Sequence, residues 1–136
     1  MGLIVLDTSA LAAYLDAGDA LHVSAEAALL AAATDRHRFA VSMVTWAELM
    51  VGVELGHYPR EAIGGFFHDM GIARVPVDEA IAEHGARLRA KFRLKLPDAL
   101  VLATADLAKD GEAVISGDRA WGKVAGLGVE LIALTA

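Results

Sequence analysis

The sequence predicts an α/β protein: a three-layer α/β/α sandwich built on a mainly parallel sheet of about five strands. Two short runs, LIVL at Leu3–Leu6 and AVIS at Ala113–Ser116, are apolar almost throughout, as strands buried on both faces must be. Longer amphipathic or alanine-rich segments alternate with such runs, as the crossovers of a parallel sheet require. The 136 residues contain no repeat and no linker-like stretch, so 1–136 reads as a single domain.

The elements follow in order. Leu3–Leu6 is the first strand, and Thr8 or Ser9 caps a short helix reaching about Leu15. Asp19 opens an alanine-rich helix to about Ala33, followed by a strand at Phe39–Ser42. Thr45 begins a helix to about Leu55, since Thr45-Trp46-Ala47-Glu48 has the capping-box spacing. Pro59 lies near the start of the next helix, which ends near Gly71, and Ile72–Val75 is the third strand. Asp78 starts a helix to about Lys91. Pro97 marks the first turn of another, ending near Lys109 with Gly111 just beyond. Ala113–Ser116 and Glu130–Ala133 complete the sheet.

Composition removes several function classes. The chain is 56% apolar, which excludes a disordered polymer. Its longest uncharged stretch, Phe39 to Ala47, falls far short of the ~20 residues of a spanning helix, so no membrane is expected. MGLIVLD has no basic n-region and meets an acid at position 7, unlike a signal peptide. The absence of cysteine rules out disulfides and thiolate metal sites and fits a cytoplasmic location. A net charge of −6 argues against unaided nucleic-acid binding.

Four acids carry the chemistry: Asp7, Glu48, Asp98 and Asp118. Asp7 closes LIVL, Glu48 follows AVSMVTWA, Asp98 opens a helix and Asp118 follows AVISG. Strand carboxyl ends and helix amino ends line one edge of a parallel sheet, where ligands bind. Each acid alone has a capping explanation. Together they would repel one another unless a cation lies between them, and Asp7 ends a central strand, where an unpaired carboxylate is expensive. All are oxygen donors, which suits Mg²⁺ or Mn²⁺. His22, His37, His57, His68 and His84 show no zinc-site spacing. One or two divalent ions would reduce the −6 total to −4 or −2, so a phosphodiester substrate is compatible with this acidic chain.

The segments LIVLDTSAL, SMVTWAEL, PDALVLATA and ISGDRAW resemble, in this order, the motifs of the PIN-domain family, and in particular VapC-type toxins of bacterial toxin–antitoxin pairs. The resemblance covers essentially the whole chain. It implies that Asp7, Glu48, Asp98 and Asp118 form the family's acidic quartet, with Thr8, Ser9 and Ser116 at its hydroxyl positions. It further implies Mg²⁺- or Mn²⁺-dependent endoribonuclease activity, often on tRNA or ribosomal RNA, a homodimer, and a cognate VapB-like antitoxin. One departure stands out: in Gly117-Asp118-Arg119-Ala120-Trp121 the second acid common in this motif is missing, and Trp121 takes the aromatic packing position.

Arg87, Arg89, Lys91, Arg93 and Lys95 form a basic strip just before Asp98, read either as a solvated helix end or as an RNA-contacting surface, with Arg119 a weaker candidate. Trp46 with Met50, and Phe66, Phe67 and Met70, have core spacing, with a dimer seam or antitoxin groove as the sharper alternative. Gly64-Gly65, inside a helical pattern, would permit close approach by such a partner. Two competing readings fit less well. A receiver-like Mg²⁺-binding signalling domain wants paired early acids and a Lys ending the last strand, and a dehalogenase-type phosphatase wants Asp-x-Asp where Asp7-Thr8-Ser9 stands. A catalytically silent PIN-like scaffold would have no need of four converging carboxylates.

Overall fold

The computed structural model describes residues 2–136. Five strands, β1 (Leu3–Leu6), β2 (Arg38–Ser42), β3 (Ala73–Val75), β4 (Gly111–Ser116) and β5 (Glu130–Ala133), form one sheet in the order β3-β2-β1-β4-β5. Every neighbouring pair is parallel. Six helices flank the sheet: α1 (Thr8–Leu15), α2 (His22–Thr34), α3 (Met43–Glu54), α4 (Arg60–Met70), α5 (Glu79–Phe92) and α6 (Leu96–Leu107). The expected three-layer α/β/α sandwich is therefore present.

The LIVL run explains why β1 is central. Successive strand side chains point to opposite faces, so Ile4 and Leu6 enter one core while Leu3 and Val5 enter the other. The first core joins them to Leu11 of α1, Leu29 of α2, Leu49 of α3 and Ile63 and Phe67 of α4. The second joins them to Leu88 of α5, Leu102 of α6 and Trp121. All four side chains are buried because both faces are covered. At the sheet margin, β3 shows the opposite pattern, with Ala73 and Arg74 exposed.

Three helix starts differ from the sequence expectation. The alanine-rich helix begins at His22, because Asp19 spends its carboxylate on a local turn, accepting from the Leu21 amide at 2.8 Å. The helix expected from Thr45 begins at Met43. Ser42, the last residue of β2, caps it by accepting from Val44 N at 3.1 Å, so strand passes into helix without a loop. Thr45 is thereby buried inside α3, and its hydroxyl has no hydrogen-bond partner among the described residues. The first helix is capped by Asp7, with Thr8 and Ser9 already helical. Elsewhere the bounds shift by a residue or two: β3 starts at Ala73, α6 ends at Leu107 and β4 reaches back to Gly111. Among the described residues, no helix is long and apolar enough to cross a membrane.

Two glycines have opposite roles. A Cβ on Gly111 would collide with the carbonyl oxygen of Ala105, so only glycine lets β4 leave α6 so sharply. A Cβ on Gly65, in α4, meets nothing within 4 Å. Gly111→Ala should therefore cost about 1–3 kcal/mol by overpacking. Gly65→Ala should add about 0.5–1 kcal/mol through helix propensity. Urea unfolding of the two variants checks both signs.

Candidate active site

Asp7 leaves the carboxyl end of β1 and turns directly into α1, so its side chain serves two structures. As the helix N-cap, its Oδ1 accepts from Ala10 N at 2.8 Å. Its Oδ2 accepts from Ser116 Oγ at 2.6 Å, and Ser9 Oγ lies 2.8 and 2.9 Å from the two carboxylate oxygens. Each serine is itself held by the loop after β4. Asp118 N donates to Ser116 Oγ at 3.0 Å and Gly117 N donates to Ser9 Oγ at 2.9 Å. Asp7 is only 4% exposed. Burial pushes its carboxyl up to about 6 and the charge of Asp98 adds to this, while hydrogen bonds from Ser116, Ala10 and Ser9 pull the other way.

The other three acids come from separate elements, and of these Asp98 acts on Asp7 directly. Glu48, on the second turn of α3, accepts from Thr8 Oγ1 at 2.6 Å. The capping-box role expected of Glu48 is absent because the helix starts earlier, and this frees the side chain to turn toward α1. Asp98 lies in the first turn of α6. Burial raises its carboxyl; the charges of Asp118 and Glu48 act in the same direction, opposed by the Trp121 indole N–H and by Lys95. Asp118 caps the 3-10 turn Arg119–Lys123, accepting from Ala120 N at 2.8 Å. Its expected capping role is thus present alongside its place beside Asp98.

Asp98 therefore lies within electrostatic reach of Asp7, Glu48 and Asp118, while Ser9 and Ser116 hold Asp7 and Thr8 holds Glu48. Among the described residues, no three acid or histidine side chains are drawn close enough to form a preassembled metal cluster. The donor set still suits a hard divalent cation. Asp7 is buried, accepts only hydrogen bonds and, among the described residues, has no cationic side-chain partner. A cation at this edge would relieve both its desolvation and the mutual repulsion.

The basic strip is divided by position. Lys95 is the N-cap of α6 and acts directly on Asp98. Arg93 adopts the left-handed conformation (φ 54°) that ends α5, and its carbonyl accepts from Lys123 Nζ at 3.3 Å. Lys91 lies over the Phe92 ring at 5.2 Å. Arg87 and Arg89 are exposed further back along α5, and Arg119 is exposed immediately after Asp118. Sequence reasoning missed the Trp121–Asp98 relation. The buried indole nitrogen influences Asp98 without completing a hydrogen bond of good geometry. Phe67 is core rather than surface, edge-on to Trp46 at 5.0 Å, whereas Trp46, Met50, Phe66 and Met70 are half-buried along its rim.

Comparison with known proteins places this geometry in context. A sequence model of the PIN domain matches residues 4–127. A sequence search of the curated proteins finds no match. Among solved structures, the chain is similar to one in a toxin–antitoxin complex from Klebsiella pneumoniae, with TM-score 0.69, 28% identity and coverage of 93% of this chain and 94% of that one. A chain of VapBC-5, a toxin–antitoxin system of Mycobacterium tuberculosis, gives TM-score 0.64 and 27% identity over 98% and 100%. DNA-bound VapBC from Salmonella typhimurium gives 0.70 over 96% and 98%, but at 17% identity that likeness concerns the fold alone.

The environment of Asp7 makes stability depend on pH in an unusual direction. Unfolded Asp7 releases its proton near 3.8 and folded Asp7 near 6, so between those values the folded state holds the extra proton. In metal-free protein this contribution falls as pH rises from about 4 to 6, to a penalty of roughly 2–3 kcal/mol above that window. Asp7→Asn should remove this slope and raise metal-free stability at pH 8 by about 1–3 kcal/mol, as measured by denaturant unfolding across pH 4–8.

Proposed function

The chain belongs to the PIN domain family, and within it we propose that this protein is a divalent-metal-dependent endoribonuclease, the toxin of a toxin–antitoxin pair. The observation that carries the proposal is the buried Asp7 carboxylate. It stands at the end of the central strand, braced by two serines, within reach of Asp98, on which Asp118, Glu48 and Lys95 act in turn. A structural cap would not need to be buried among like charges. A cation site would.

In this reading Asp7, Glu48, Asp98 and Asp118 hold Mg²⁺ or Mn²⁺. When bound, such an ion polarises the phosphodiester and makes water a competent nucleophile at neutral pH. The chain's own residues supply order. Ser9 and Ser116 fix both oxygens of Asp7, Thr8 fixes Glu48, and the Ala10 amide stabilises the ionised form of Asp7. Lys95 and the Trp121 N–H limit the rise of Asp98, favouring its ligating, ionised state. Lys91, Arg93 and Lys95, at or near this edge, would receive the phosphates of an RNA strand, with Arg87 and Arg89 extending the path along α5, and Arg119 would contact the same strand beyond Asp118. The substrate proposed is RNA, with tRNA or ribosomal RNA as the leading classes.

The solved structures that resemble the chain at 27–28% identity come from toxin–antitoxin systems, and this supports a VapB-like antitoxin as partner. A homodimer and a cytoplasmic location complete the proposal. The half-buried rim of Trp46, Met50, Phe66 and Met70 is a candidate part of either protein interface.

Purified protein should cleave RNA with Mg²⁺ or Mn²⁺ and leave 5′-phosphate and 3′-hydroxyl ends. EDTA, Asp7→Asn and Asp98→Asn should each abolish cleavage. Metal-independent cutting, or full activity in both variants, would refute the mechanism. Ser116→Ala, which removes one brace of Asp7, should lower activity roughly ten- to a hundredfold. Its deficit should shrink as Mn²⁺ is raised, a titration that separates weakened metal binding from misfolding. Light scattering on the purified chain tests the homodimer, with a mass of one chain as the contrary result.

A further inference from the structure

A groove of about 410 Å³ adjoins the acid cluster, between the 3-10 turn and the carboxyl half of β5. Ser116 and Asp118 form one wall, so the groove and the candidate active site are continuous. Trp121 and Leu131 supply apolar lining. Ala133 pairs with Ser116 in the sheet and carries only a methyl group there, which leaves the mouth open. Arg119 stands exposed at the rim and makes no ion pair among the described residues.

An apolar lining facing a polar wall, with one guanidinium at the edge, matches the chemistry of a nucleobase. We propose that this groove receives the base of a nucleotide flanking the scissile phosphate, and that Arg119 selects guanine there. The inference rests on the phosphodiesterase reading of the acid cluster, because that reading brings a strand past Asp118. Guanine offers two adjacent acceptors, O6 and N7, to the N–H fork of an arginine. Adenine presents a donor beside its N7, and pyrimidines lack the acceptor pair. The groove lies within the size range of small-ligand pockets, and its continuity with the acids puts the base next to the bond to be cut.

The test is a titration of metal-free ¹⁵N-labelled protein with 5′-GMP and 5′-AMP in EDTA, followed by NMR. GMP should shift the Trp121 indole N–H and the Leu131 and Ala133 amides in a saturable manner. Arg119→Ala should weaken GMP binding about tenfold, and AMP should bind wild type about tenfold more weakly than GMP. Ala133→Trp, which fills the mouth from an exposed position, should abolish the response. Equal binding of GMP and AMP, shifts confined to other surfaces, or unchanged affinity in Arg119→Ala would overturn the inference. Because no metal or cleavage is involved, the titration reads the groove even if the nuclease reading fails. With active enzyme, cut sites in a randomised RNA pool should be enriched for guanine at one flanking position, and Ala133→Trp should erase that enrichment. An unbiased wild-type cut pattern would also overturn it.

Discussion

A single buried carboxylate organises this protein. Asp7 stands where the central strand becomes the first helix, and the chain around it is arranged to tolerate its charge. Three groups donate to it: the Ala10 amide and the hydroxyls of Ser9 and Ser116. Even so, burial wins and its carboxyl is raised to about 6. Hydrogen bonds of this kind offset desolvation only in part, and the remainder is free energy that a bound cation could recover. A site can thus be costly to the empty fold and favourable to the loaded one, a frequent compromise at functional positions.

The remaining acids come to the same sheet edge through the logic of the parallel sheet. β1, β2 and β4 end at one edge, and each is followed there by a helix or 3-10 turn. Asp7 and Asp118 come from strand ends, Glu48 from the helix that β2 enters directly, and Asp98 from the first turn of α6. Asp98 is thus brought within reach of three sequence-distant acids without any unusual backbone at their positions. The cationic side is less regular. It depends on Arg93 adopting a left-handed conformation that L-residues other than glycine rarely take. That turn links α5 to α6 in three residues and carries Lys95 to the position where it acts on Asp98.

Much of this was legible from the residues. Apolar runs marked the buried strands, and the placement of Asp7, Asp98 and Asp118 at element ends marked the site edge. Glu48 carried two readings, a site acid and a capping-box partner, and the structure removes the second. The Thr45–Glu48 spacing imitates a capping box, and only the chain's passage from Ser42 straight into α3 shows that the cap lies earlier. Asp19 misled in the same way, since a turn and a helix cap use the same carboxylate with the same local reach. Trp121 was expected to pack, and it does. Its effect on Asp98 was invisible in sequence because it depends on the indole's orientation rather than on its position. The groove beside Asp118 was also hidden, being formed by two segments whose separation only the β4–β5 pairing defines.

The bond between Ser116 and Asp7 spans 109 positions of sequence, and this has a consequence for the order of events during synthesis. A chain emerging from the ribosome presents Asp7 first, together with α1 and α2. Nothing in that early segment can supply Ser116, Asp118 or the Asp98 helix. The acid cluster therefore cannot assemble until β4 has been made and has paired with β1, a closure between distant segments of the kind that slows folding. For an enzyme proposed to cut cellular RNA, this topology leaves any copy synthesised short of Asp118 without a complete site. It confines competence to chains whose last quarter has been translated.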